Sequence, residues 1–152
     1  MLDRVLNGYV GAMTCEHRHI EQLVRRVEAT LHEASTNDRP AEVMKRLLAE
    51  VEELELCLTR HFQREEDGGF MEDAIAAAPR FAKEAEGLLD EHDQMLTKAR
   101  ELVHGARAQA RSPRTDWAVF VGELRTLIKQ LLSHEVRENN LLHRAFNFAD
   151  GT

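Results

Sequence analysis

His61 and Glu65 stand four residues apart in HFQREED (61–67), and the same spacing returns at His134 and Glu138 in HEVRENNLL (134–142). On a helix, a residue and its i+4 neighbour share one face. Each pair can therefore present an imidazole nitrogen and a carboxylate oxygen to a common point. Imidazole with carboxylate is a donor set for iron, manganese or zinc. The two cysteines, Cys15 and Cys57, form no CxxC pair. They read as reduced helix cysteines, which argues against a thiolate zinc finger.

Helices must carry these pairs, and the chain is patterned for them. Three stretches break a helical rhythm: STNDRP (35–40), the run from DGG (67–69) to Pro79, and RSPRTD (111–116). Pro40 suits the first turn of a helix, and Thr115 or Asp116 is a candidate cap. Four segments remain, about 3–35, 40–67, 80–110 and 116–148. Each has an apolar stripe at three- to four-residue spacing. The stripes run through Met13, His17, Ile20 and Leu31; through Val43, Leu54, His61 and Glu65; through Phe81, Leu88, His92 and Leu102; and through Phe120, Leu131, His134, Glu138 and Ala145. Four long amphipathic helices joined by short turns predict an all-α, up-down-up-down four-helix bundle in one domain over 1–152. The 67–79 connection has room for a short helix, MEDAIAAA.

Every stripe holds one histidine. In a helical hairpin, residues equidistant from the turn lie at one height. The midpoint of 17 and 61 is position 39, inside STNDRP; that of 92 and 134 is Pro113; that of 61 and 92 falls just before Pro79. His17, His61, His92 and His134 are thus expected at one level, with Glu65 and Glu138 about one turn away, roughly 5–6 Å, toward the same end. Two unpaired carboxylates in a core would cost several kcal/mol each, on the order expected for buried ions. A bound metal removes that cost. Six protein ligands are too many for one open site and suit two metals with the carboxylates bridging.

Composition narrows the function. The chain has 152 residues, 43% of them hydrophobic and 31% charged, with a net charge of -7. That is a globular profile. The acidic balance, without a Lys/Arg cluster, argues against nucleic acid and anionic membranes. There is no 18-residue apolar run, and MLDRVLNGYV lacks the apolar core of a signal peptide, so the expected location is the cytoplasm.

EHRHIEQL (16–23), HFQREED (61–67), EHDQML (91–96) and HEVRENNLL (134–142) together resemble the four helix motifs of the hemerythrin-like family, also called the HHE cation-binding domain. The resemblance spans about residues 10–148. It implies a non-haem site of two iron ions, oxo- or hydroxo-bridged, in a four-helix bundle, with other divalent metals possible. Carried over, the metal ligands are His17 rather than His19, then His61, Glu65, His92, His134 and Glu138. Two departures stand out. Oxygen-carrying hemerythrins have HxxxH on the third helix, where this chain has Leu96, and HxxxxD on the fourth, where this chain has HxxxE. With four histidine ligands rather than five, it resembles the broader HHE branch rather than the oxygen-carrier branch.

Around these ligands, Glu91 is placed to hydrogen-bond a ligand histidine. Glu66 lies about 100° around the helix from Glu65 and reads as a solvated or supporting carboxylate. Glu21 can reach only the edge of the site. Tyr9 reads as a core tyrosine, and Met13, Leu88 and Leu141 as apolar walls beside the glutamates. His32, His104 and His143 fall on the surface. The expected function is binding of a small ligand such as O2 or NO, for sensing, storage or iron handling. The alternatives are a di-iron enzyme acting on peroxide or nitric oxide, and a metal-free structural bundle. A protein partner for sensing is not legible in the chain.

Overall fold

The computed structural model describes the backbone of residues 2–34, 40–112 and 116–150, and the side chains of 16–34, 40–69, 71–112 and 116–145. Helix α1 is Leu2–Ala34, α2 Ala41–Asp67, α3 Phe70–Ala77, α4 Ala82–Arg111 and α5 Trp117–Asp150, with a 3-10 turn at Pro79–Phe81. No strand occurs among the described residues. The side chains of Tyr9, Met13 and Cys15, and all of Pro113 and Thr115, lie outside the described residues.

The turns explain the boundaries. Pro40 sits one residue before α2 rather than in its first turn, at φ -61° and ψ 143°. Its carbonyl accepts the amide of Met44 at 3.1 Å, so the helix starts on the proline. The DGG turn uses its glycines for different reasons. A Cβ on Gly68 would stand 2.5 Å from the Arg64 carbonyl oxygen, and Gly69 has φ +72°, the left-handed region that favours glycine. The short helix expected in the 67–79 connection is α3. Asp116 precedes α5, and its side chain accepts from Gln109 Nε2 at 2.7 Å, which ties the end of α4 to the start of α5.

The four long helices form a ring in which α1 packs on α2, α2 on α4, α4 on α5 and α5 on α1; α3 lies against α5 and touches α2 and α4. Two apolar clusters fill the bundle. The larger takes Leu23, Leu54, Leu102, Leu124 and Leu131 from the four long helices. The smaller joins Met71 of α3, Phe81 and Leu88 to Leu141 and Leu142 of α5. Each fully buried side chain of this kind contributes about 1.5–3 kcal/mol. Along α4 and α5, the polar stripe residues fall between these clusters: His92 separates Leu88 from Met95, and His134 and Glu138 separate Leu131 from Leu141. Leu88 and Leu141 thus stand about one turn from the ligand-type residues, as apolar walls would. No helix among the described residues is long and apolar enough to cross a membrane.

Candidate metal centre

His17, His61, Glu65, His92, His134 and Glu138 are all buried, each 5% exposed or less. The expected alternative His19 is exposed, as are His32, His104 and His143. The helical rhythm sets this outcome. A stripe residue faces the core, while His19, two residues on from His17, is turned about 200° away.

The six residues fall into two groups of four that share both carboxylates. One is His17, His61, Glu65 and Glu138; the other is Glu65, His92, His134 and Glu138. In each group the donor atoms lie within 4.8 Å of one another, so each group can hold one metal ion. Glu65 approaches His61 Nε2 through Oε1 at 2.6 Å and His92 Nε2 through Oε2 at 3.0 Å. Glu138 approaches His17 Nε2 through Oε1 at 3.6 Å and His134 Nε2 through Oε2 at 3.2 Å. Each carboxylate therefore gives one oxygen to each half.

These short approaches are not a finished hydrogen-bond network. His17 Nε2, His61 Nε2 and all four oxygens of Glu65 and Glu138 are buried without a hydrogen-bond partner. The atoms crowd a common space rather than aim at one another. An unsatisfied buried polar group costs about 1–3 kcal/mol, and more when charged. The donor set fits a cation: imidazole and carboxylate only, with no thiolate among the six.

Electrostatics say the same. Burial opposes a charged His61, yet Glu65, Glu16 and Glu138 outweigh it and push its pKa up to about 9. Burial likewise opposes an ionised Glu65, but the close approach of the His61 and His92 imidazoles holds it well below the usual carboxylate range. For His134, burial is again overcome, by Glu138 and Glu91, and its pKa rises. Without a metal, protons do the work of a cation in this cage.

The outward nitrogens are held as well. His61 Nδ1 meets Glu16 Oε2 at 2.5 Å, His92 Nδ1 meets Glu66 Oε1 at 3.2 Å, and His134 Nδ1 meets Glu91 Oε2 at 2.7 Å. Glu91 is itself clamped by Arg137, at 2.7 and 3.0 Å, and Glu16 is paired with Arg64. A carboxylate on Nδ1 fixes the tautomer and leaves Nε2 free to ligate. Phe62, 1% exposed, stacks on His92 with ring centroids 4.0 Å apart and planes 6° from parallel.

Glu91 does bond a histidine, that of the neighbouring helix α5 rather than its own His92. Glu66 is half exposed and still reaches His92. Glu21 is exposed and joins neither group. Sequence reasoning missed Glu16, Phe62 and Glu135. A signal for Glu16 exists: the dipeptide Glu–His occurs at both 16–17 and 91–92, just before two of the stripe histidines. Glu135 carries no such mark, since a charged residue beside a stripe is usually solvated. Here it is buried, 4% exposed, with Oε1 unpartnered, and burial pushes its pKa up to about 7.

A family model described as the hemerythrin HHE cation binding domain matches residues 9–146. Comparison with curated proteins and with solved structures gives no significant match. The match reaches into all four long helices and takes in every residue of the buried cage, and the chain belongs to the hemerythrin HHE cation-binding domain family.

Proposed function

We propose that the chain holds two iron ions and binds a small diatomic ligand, O2 or NO, for sensing, storage or iron handling. In this reading His17 and His61 hold one ion and His92 and His134 the other. Glu65 and Glu138 bridge them. The observation that carries it is the sharing of both carboxylates between two histidine pairs, with one oxygen toward each. A single-ion site has no use for that symmetry. When bound, a ferrous pair supplies electrons to a ligand that reaches an open position. The chain's own contribution is to fix the nitrogens, balance charge with two carboxylates, and keep bulk water out through the apolar clusters on either side.

Each half offers two nitrogens and two shared oxygens, and Leu96, packed against the apolar core, gives α4 no further nitrogen. Fewer protein donors leave more room for exogenous ligands. That favours a second reading, a di-iron enzyme that consumes peroxide or nitric oxide. A metal-free structural bundle is disfavoured by the buried nitrogens and carboxylate oxygens that lack partners.

Anaerobic ferrous protein, titrated with O2, NO and peroxide in separate experiments, tests the assignment. A stoichiometric adduct that forms with O2 or NO and stops supports ligand binding. Many equivalents of peroxide or NO consumed per chain would replace it with the enzyme reading. No reaction with any of the three would overturn both.

A further inference from the structure

The supporting carboxylates follow a rule around the bundle. Glu16 of α1 meets His61 of α2, Glu66 of α2 meets His92 of α4, and Glu91 of α4 meets His134 of α5. Each of these three helices thus gives its neighbour a carboxylate for the outward nitrogen of a caged histidine. The ring closes if α5 does the same for α1, on which it packs. That last link is the one not made. His17 Nδ1 is buried and has no hydrogen-bond partner.

One candidate stands on α5. Glu135 is buried, and its Oε1 has no partner either. Its position on the helix places it on the correct side. Glu138, three residues further along α5, stands 3.6 Å from His17 Nε2 through Oε1, and Glu135 lies about one turn from that contact. By contrast Glu21, on the same helix as His17, is exposed. Two buried orphans, a ring nitrogen and a carboxylate oxygen, thus stand on packed helices, each within about one turn of the His17–Glu138 contact. Leaving both unsatisfied costs about 1–3 kcal/mol for each.

We propose that Glu135 is the fourth supporting carboxylate: in the metal-loaded protein it accepts a hydrogen bond from His17 Nδ1–H and so positions Nε2 toward the metal. Glu135 is a positioning residue in this assignment, acting through His17. The assignment rests on the dinuclear reading above. The physical reason for the link is tautomeric. With Nε2 ligating, the neutral ring must carry its proton on Nδ1, and in a dry core that N–H needs an acceptor. A nearby cation also favours the ionised carboxylate, the better acceptor.

Zinc-loaded protein tests this, because zinc is diamagnetic and leaves histidine ring protons observable by NMR. Wild type should hold two zinc ions and show a protected Nδ1–H from each caged histidine. The His17 signal is identified by its loss in His17→Ala. Glu135→Gln, which keeps an acceptor oxygen and the side-chain shape, should shift that signal and retain it. Glu135→Leu should expose it to rapid exchange and speed release of zinc to a chelator about 10–100-fold, the scale for loss of such a support. The signals of His61, His92 and His134 should persist in Glu135→Leu. A His17 Nδ1–H unchanged in Glu135→Leu, with two zinc ions still bound, would overturn this assignment alone. Loss of one zinc in Glu135→Gln and Glu135→Leu alike would overturn it in favour of direct ligation by Glu135. Wild type holding fewer than two zinc ions would remove the dinuclear reading, and this one with it.

Discussion

His92 Nε2 and His134 Nε2 face each other across 3.2 Å in the buried centre of the bundle. Two bare lone pairs repel at that distance, and two N–H groups collide. Either one proton lies between the rings or a cation takes its place. Two nitrogens each about 2.1 Å from one metal ion stand roughly 3–3.4 Å apart at ordinary bond angles, which this spacing matches. The same exchange of proton for cation applies to His61.

Metal binding should therefore release protons. With the His61 pKa near 9, its ring is charged at pH 7 in the metal-free protein and must deprotonate to ligate. Apparent affinity should rise about tenfold per pH unit from 7 toward 9 through this group alone, then level off. Stability of the metal-free protein should run the other way. A histidine pKa raised by folding stabilises fully below the unfolded value of 6.5, and that contribution is lost as pH climbs through about 9. Chelator competition and thermal unfolding across pH 6–10 read both trends. Affinity independent of pH would contradict the proton-for-metal exchange.

His17→Ala should lower metal content, whereas His19→Ala should leave it unchanged, because His17 is buried in the cage and His19 is exposed. Metal analysis of the two variants decides it. The reverse pattern would move the α1 ligand to His19.

Glu135→Gln should stabilise the metal-free protein at alkaline pH. Burial raises this carboxyl from 4.5 to about 7, so ionising it works against folding. The penalty is absent below pH 4.5, grows between 4.5 and 7, and is complete above 7. It amounts to about 3 kcal/mol. Denaturant unfolding at pH 4 and pH 8 should show no gain at the first and a gain of that order at the second. An equal effect at both would mean that the charge is not the cause.

Phe62→Ala should cost about 3–5 kcal/mol, as for other buried phenylalanines. It should also loosen metal retention, since Phe62 lies flat on His92. Unfolding and chelator release measure the two effects. Lost stability with unchanged release would make Phe62 a core residue only.

Much of this cage can be read from the chain because it obeys helical periodicity. Each stripe carries its histidine at a core position, and the turn midpoints put all four at one level. The glutamates of the two HxxxE pairs follow at i+4. The supporting carboxylates obey no such rule. Glu16 and Glu91 precede a stripe residue and reach across to the next helix, so their partners depend on which helices are neighbours. Glu135 is hidden further. Periodicity puts it one step off the stripe, and its burial depends on how the helices pack around it. Where Pro40 and the 3-10 turn before α4 fall also depends on local backbone geometry, which moves a boundary by one or two residues.

The central claim is that two ions share Glu65 and Glu138, and metal counting tests it most directly. Protein reconstituted with ferrous iron, desalted and analysed for iron per chain, should hold two irons and change its optical spectrum on exposure to air. The double variant Glu65→Ala/Glu138→Ala should no longer hold the pair. One iron or none in the wild type, or two retained in the double variant, would contradict the bridged dinuclear site.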